Sequence, residues 1–168
     1  MGLNSEDPIR FIKHLLESKS SAKQVAYKHI CKAFLTLEEE AKSIVEELKR
    51  RANPADKDVT VEFNQVNKQE FDVKLAGDML IFVMGTNIVT LEESHPILQD
   101  EYIQQNEVNR YFGQIMVYNF MAESLKYNRT NDPGYLLARL MINHENRFFI
   151  EGERELRDYN SISPNPIN

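Results

Sequence analysis

The spacing of apolar residues changes once along the chain, near residue 57. Before that point, apolar side chains recur at alternating intervals of three and four residues, which is the period of an α-helix. After it, apolar and polar residues alternate, as in Val59, Val61 and Phe63, which is the period of a β-strand. The order predicts an α+β protein, in which N-terminal helices pack on a sheet formed by the rest of the chain.

Two helices are predicted in the N-terminal third. Asp7 and Pro8 mark the start of the first, and the serines near residue 20 mark its end. The second runs from about residue 22 to residue 52. At about 1.5 Å per residue it would be roughly 45 Å long, too long for a compact domain of this size, so it either projects or breaks near Thr36. Its apolar seam consists of Tyr27, Ile30, Phe34, Leu37, Ala41, Ile44 and Leu48.

The remaining pattern predicts an antiparallel sheet of five or six strands. The predicted strands cover residues 59–63, 71–75, 79–89, 114–121, 135–142 and 147–150, with a short helix from Pro96 to about Glu107. Residues 1–160 are expected to form a single domain and residues 161–168 a loose C-terminal tail. This order of elements resembles that of PAS-like and GAF-like sensor domains, which implies a sensor-like binding function.

Charge, the longest apolar run and the cysteine count argue against several classes of function. The net charge of −6 argues against a protein that coats nucleic acid, because phosphate binding needs clustered basic residues. The longest apolar run, residues 79–84, is too short to span a membrane. Cys31 is the single cysteine, so no disulfide forms within the chain and a reducing, cytoplasmic compartment is expected. No ligand spacing indicates a metal, and no motif indicates a particular cofactor or a catalytic residue.

Several predicted strands are apolar on both sides, as in Leu80 and Phe82 against Ile81 and Val83. A sheet with one solvated face alternates apolar with polar residues instead. The long helix can cover one face, whereas the short helix from Pro96 is too small to cover the other. Leaving roughly 400 Å² bare would cost about 10 kcal/mol, which is comparable to the stability of a whole domain. A subunit partner, a ligand cavity or curvature of the sheet must therefore cover the second face.

The last hairpin supplies the candidate binding residues. If its turn is centred between His144 and Glu145, Met141 pairs with Phe148 on the same face as Arg139. Arg139 could orient the polar end of a ligand, or it could form a salt bridge with Glu151 or Asp72. The predicted ligand- or partner-binding residues are Arg139, Tyr118, Phe120, Leu137, Met141 and Phe148.

Two functional hypotheses follow. The first is a non-enzymatic, homodimeric binding module, sensor-like or devoted to protein interaction, whose ligand is a small molecule or a protein. The alternative is a small enzyme with an acid–base site built from Arg139, His144, Glu145 and Asp78, which requires these side chains to lie within about 12 Å of one another. A component of a larger assembly is a third possibility.

Overall fold

The first part of the protein is one nearly continuous helical rod. The computed structural model describes residues 7–127, 134–152, 162–163 and 165–167. Helix α1 spans Pro8–Leu15, a π-helical turn spans Leu16–Ser20, and α2 spans Ser21–Arg51. The Asp7 carboxylate accepts a hydrogen bond from the Ile9 amide at 3.1 Å, so the predicted start of the first helix is confirmed.

The rod breaks at neither of the predicted places. The serine-rich stretch forms a wider π turn, which holds an additional residue without interrupting the helical hydrogen bonds. Thr36 stays inside α2, where its hydroxyl donates to the Lys32 carbonyl at 3.2 Å. The rod therefore projects, which was the other predicted outcome, and no residue of α1 or of the π turn is buried. We call residues 8–20 the arm.

In the described part of the chain, six strands form one antiparallel sheet in which neighbours follow chain order. This confirms the predicted α+β architecture of N-terminal helices on an antiparallel sheet. The strands are β1 (Val61–Asn67), β2 (Glu70–Leu75), β3 (Asp78–Met84), β4 (Gly113–Met121), β5 (Tyr135–Ile142) and β6 (Phe148–Gly152). A five-residue helix, α4 (Ala122–Lys126), follows β4.

Helix α2 covers one side of the sheet, which we call the first face. Ile30, Phe34 and Val45 of α2 are buried in one cluster with side chains of β2 to β5. The Phe34 ring lies 5.3 Å from the Phe71 ring, measured between centroids. The closest approach is at Gly113, where an added Cβ would lie 2.7 Å from the Ile30 Cβ. The helix can therefore approach β4 this closely only because residue 113 has no side chain.

The opposite side, the second face, is covered by the described residues only at one end. Residues 89–110, which we call the covering segment, contain two short 3₁₀ turns and the five-residue helix α3 (Glu101–Gln105). Ile97, Leu98 and Ile103 from this segment bury Met141 of β5 and Phe149 of β6. The predicted short helix is thus part of a partial cover, confined to the β5–β6 end.

The register of the last hairpin differs from the prediction by one residue. Met141 pairs with Phe149, and Ile142 pairs with Phe148. The turn contains an additional residue, because Asn146 adopts a left-handed conformation with φ of 60°, as in hairpins with three-residue loops. A slip of one residue exchanges the faces of a strand. Phe148 therefore packs on the first-face cluster, and its predicted place on the second face is wrong.

The described residues of the predicted C-terminal tail lie against the β5–β6 hairpin. The Ser163 amide donates to the Phe148 carbonyl at 2.8 Å, and the Ile167 amide donates to the Asn146 carbonyl at 3.1 Å. Ile162 is buried in the same cluster as Met141. Within the described ranges, none of the helices combines the length and the apolar character that crossing a membrane requires.

The contact at Gly113 gives a first testable prediction. Gly113→Ala should lower the free energy of unfolding by about 1–3 kcal/mol, because the new methyl group overlaps Ile30 on a helix that cannot shift locally. Urea unfolding measures the change. Gly77→Ala is the matched control, since nothing lies within 4 Å of a Cβ there. Equal effects of the two substitutions would contradict the close helix–sheet contact.

Candidate functional site

The second face changes character from one edge of the sheet to the other. Cross-strand pairing sets its side chains in rows. One row runs from Asn64 and Asp72 to Ile81, Tyr118 and Leu136, so it begins polar on β1 and β2 and becomes apolar on β3 and β4. The same change occurs in the two neighbouring rows. The face therefore has a polar border, an apolar centre and, beyond it, the charged residues and covered end of β5 and β6.

The apolar centre is two strands wide and three rows long. We call it the central strip; its residues are Met79, Ile81, Val83, Met116, Tyr118 and Phe120. Each is only partly buried, and none belongs to either of the two buried clusters. Neither α2 nor the covering segment buries it. Leu136, the cross-strand neighbour of Tyr118, is 43% exposed and extends the apolar area toward β5.

The aromatic side chains of the strip are held in place by the strands around them. A Cβ added at Gly134 would lie 2.2 Å from atoms of the Phe120 ring, so this ring rests directly on the glycine backbone. The Tyr118 hydroxyl lies 3.3 Å from the Met116 sulfur, and the Tyr118 and Phe120 ring centroids are 6.4 Å apart. The strip is thus an ordered surface with a defined shape before any partner arrives.

The polar border on β1 and β2 is held by paired charges. Lys74 lies 3.3 Å from Glu62, and the Asn64 amide donates to Asp72 at 3.0 Å. Hydrogen bonds from the Thr60 hydroxyl and the Lys74 ammonium, together with the charge of Lys74, hold the pKa of Glu62 below its usual range. Glu62 therefore stays ionised next to the apolar strip.

Arg139 lies on the opposite border, where it is paired with Glu151. Its Nε donates to Glu151 Oε2 at 2.9 Å, and its Nη2 also contacts that oxygen. The predicted alternative of a salt bridge with Glu151 is confirmed. The other carboxylate oxygen of Glu151 contacts His95 Nε2. A polar cavity of about 410 Å³ adjoins this cluster, and its lining includes Thr90, Glu92, Ser94, His95 and Arg139.

The chemistry available in this cavity is narrow. Glu151 neutralises the Arg139 guanidinium, and Glu92 adds a second carboxylate, so the cavity does not attract an anion. The His95 Nδ1 accepts a hydrogen bond from the Ile97 amide at 3.2 Å, while Nε2 faces Glu151. With both ring nitrogens engaged, His95 has no free nitrogen with which to take a proton from a substrate.

The polar hairpin tip is a network that holds other elements against it. The Tyr102 hydroxyl accepts a hydrogen bond from the Asn143 amide at 2.8 Å and donates to Glu145 at 2.9 Å. Arg147 lies over the Tyr102 ring, 4.0 Å from its centroid. Burial raises the pKa of Tyr102 to about 12. His144 Nε2 lies 2.8 Å from Asn109 Oδ1, and burial lowers the pKa of this histidine. The network fastens the covering segment to the sheet.

Asp78 lies at the opposite end of the sheet from this tip. It pairs with Met121 at one end of β4, whereas Ile142, just before the tip, pairs with Gly113 at the other end. Eight residues of strand separate the two positions, which is about 26 Å. The structure does not bring Asp78 together with His144 and Glu145, so the four residues of the enzyme hypothesis do not form one site. Among the described side chains, no three His, Cys, Asp or Glu residues gather into a metal-binding group.

The six predicted binding residues lie in separate surroundings and do not line one pocket. Tyr118 and Phe120 belong to the central strip, whereas Met141 lies under the covering segment. Leu137 is the additional, unpaired residue at the irregularity between β4 and β5, and it is half-buried. Met79, Ile81, Val83 and Met116 were missed as site residues. In the same cross-strand rows, the residues on β1 and β2 are polar. This change from polar to apolar along a row is the signal that could have identified the four residues.

Comparisons of the chain with known protein families, with curated proteins and with solved structures give no match. The resemblance to PAS-like and GAF-like sensor domains in element order therefore stays a prediction.

The Arg139–Glu151 pair should contribute to stability, because both side chains are mostly shielded from solvent. Glu151→Gln removes the counter-charge of Arg139 and should lower the free energy of unfolding by about 1–3 kcal/mol. Glu93→Gln is the matched control: Glu93 also pairs with an arginine, Arg110, but its side chain is 84% exposed. The control should change stability by less than about 0.5 kcal/mol. Similar losses in the two variants, measured by urea unfolding, would contradict this account.

His144 should make stability depend on pH. Its pKa in the folded chain lies below the ordinary value of 6.5, so the unfolded chain binds the proton more readily. Its contribution is complete above pH 6.5 and is lost as the pH falls through the folded-state pKa. His144→Gln should remove this part of the pH dependence in urea unfolding between pH 5 and pH 7.5. An NMR titration that places the His144 midpoint above 6.5 would contradict the expected sign.

Proposed function

We propose that the protein is a non-enzymatic protein-interaction module that acts as a homodimer through the central strip of its second face. The observation that carries the proposal is that these six apolar side chains remain partly exposed between two charged borders. An apolar centre surrounded by polar residues is the usual anatomy of a protein interface. Contiguous apolar patches of this kind are uncommon on monomers and mark binding surfaces.

A protein partner fits this surface better than a small molecule does. Sites for small molecules are concave and enclose most of the ligand surface. The strip is the open face of a sheet, and the cavity beside it is polar and is lined by a neutralised arginine. A small ligand would find its apolar contacts and its polar anchor on different surfaces.

The partner we propose is a second copy of the chain. The described part of one chain leaves the strip partly exposed and the apolar side of the arm largely exposed, with Ile9 at 71% and Leu16 at 60%. A second copy supplies both surfaces again, so dimerisation can remove all of them from water without any other protein. The cytoplasmic location predicted from the single cysteine is part of this proposal and agrees with it.

Substitution of Ile81 tests the proposal. Ile81→Lys places a charge in the middle of the strip, and its cross-strand neighbour Asp72 offsets that charge in the free monomer. The substitution should raise the dimer dissociation constant by at least about 100-fold, because the charge would be buried in the interface. Sedimentation velocity over a concentration series measures the change.

The control keeps the same charge on the same face. Asn64→Lys also places a lysine beside Asp72, but on β1 and outside the strip. It should leave the dimer dissociation constant within about threefold of the wild-type value. A wild-type chain that sediments as a monomer at all concentrations, or an Ile81→Lys variant that dimerises normally, would overturn the proposal.

A further inference from the structure

We infer that the arm of each chain docks on the central strip of the other, so that the dimer holds two reciprocal arm–strip contacts. This inference rests on the proposed function, since it names which part of the second copy covers the strip. It follows from the shape, the area and the charge of the two surfaces.

The arm is an amphipathic helix, and the described part of its own chain buries none of its residues. Its apolar side chains are on one half of the helix, and four of them are at least half exposed: Ile9, Phe11, Ile12 and Leu16. Arg10, Lys13 and His14 occupy the other half. A helix of this length whose apolar side faces water is not stable alone, because short isolated helices are marginal in water. The arm therefore needs a surface on which to pack.

Its own strip is out of reach. The arm continues into α2 through a π turn whose helical hydrogen bonds are unbroken, and Ser18 adds a bond to the His14 carbonyl at 2.7 Å. Helix α2 lies on the first face, and Lys19 fixes the base of the arm through an ion pair with Glu107 at 2.6 Å. Folding back onto the second face would require the rod to break. The strip of another chain is accessible without any such change.

The dimensions of the two surfaces agree. Ile9 and Leu16 are seven residues apart in a helix, about 11 Å. Met79 and Val83 are four residues apart in a strand, about 13 Å. A helix about 10 Å wide also matches two neighbouring strands with their side chains. One arm therefore covers one strip.

The area favours a reciprocal dimer. Half the surface of a helix about 20 Å long and about 10 Å wide is roughly 300 Å². The strip loses a similar area, so one contact buries about 600 Å² and two reciprocal contacts bury about 1,200 Å². Stable protein interfaces start at about this size. A single arm–strip contact, as with an unrelated helix, falls well below it.

The charges are complementary as well. The arm carries Arg10, Lys13 and Lys19 against one acidic residue, Glu17. Lys13 pairs with Glu17 and Lys19 pairs with Glu107, so Arg10 supplies the excess positive charge of the arm. The polar border next to the strip carries three acidic residues and one lysine on the second face: Glu62, Glu70, Asp72 and Lys74. A basic helix beside an acidic border fixes the docking position and disfavours pairing of one arm with another.

A disulfide trap between two differently marked chains tests the inference. Both chains carry Cys31→Ser; one also carries Ile12→Cys and the other Ile81→Cys. Mild oxidation of the mixture should give a covalent heterodimer in high yield, while each variant alone should give little. His14→Cys mixed with Ile81→Cys is the matched control. Its cysteine is on the polar half of the arm, and cross-linking should be at least tenfold slower, since a disulfide needs Cβ atoms about 4 Å apart.

Each other outcome has a definite meaning. Cross-linking of the Ile81→Cys chain alone, without the heterodimer, would show strips packed on each other, which overturns the inference and leaves the proposed function intact. Cross-linking of the Ile12→Cys chain alone would show paired arms and would also overturn it. If sedimentation of the unoxidised mixture shows monomers at all concentrations, the proposed function itself fails.

Discussion

A single long helix can cover only one face of a six-stranded sheet, and the rest of the structure follows from this constraint. Helix α2 crosses the first face and approaches β4 so closely that residue 113 must be glycine. The first-face apolar side chains that α2 reaches are thereby buried or packed against its buried cluster. Among the described residues no equivalent helix lies on the second face, so its cover depends on the loop that joins β3 to β4.

That loop buries only the part of the second face to which it is anchored. Its short helical turns are fastened to the β5–β6 hairpin by Tyr102 and Asn109, which exchange hydrogen bonds with the hairpin tip. The anchoring is local, so the cover ends near Arg139 and the strip beyond it stays partly exposed. On β1 and β2 no cover is needed, because the second-face residues there are polar. Between the polar border and the covered end, the apolar second-face residues that stay partly exposed therefore lie on β3 and β4, with Leu136 of β5 beside them, and this gives the surface its interface-like form.

The sequence predicts the helices and strands well, and the register and packing between them less well. The proline–glycine pair before residue 135 and the polar residues 143–146 bound β5 at residues 135–142, as observed, because local turn residues mark the ends of a strand. The Arg139–Glu151 pair is also predictable, since an arginine on a largely apolar strand face needs a carboxylate nearby. The hairpin register is not predictable, because it depends on the left-handed conformation of Asn146, which the neighbouring residues do not indicate. The rod continues past Ser18–Ser21 because the backbone hydrogen bonds continue there. Serine can either cap a helix end or lie within a helix, so its presence does not decide between the two.

The strip was inferred only in part for a similar reason. Alternation shows that β3 and β4 are apolar on both sides, but only cross-strand pairing and the reach of the covering segment show which residues remain exposed. The face pattern of β4 predicts Tyr118 and Phe120 as binding residues, whereas Ile81 and Val83 look like ordinary core residues. Burial on one face is a property of the whole sheet, and no single strand carries that information.

Hydroxyl-radical oxidation of the methionines, followed by mass spectrometry, tests the central claim most directly. Met79 and Met116 lie in the strip, while Met84 is 5% exposed on the first face and Met141 is fully buried under the covering segment. The account predicts that Met79 and Met116 react readily in dilute solution and become protected as the protein concentration rises, whereas Met84 and Met141 stay protected throughout. Protection of Met79 and Met116 that is already complete in dilute, monomeric protein would contradict it.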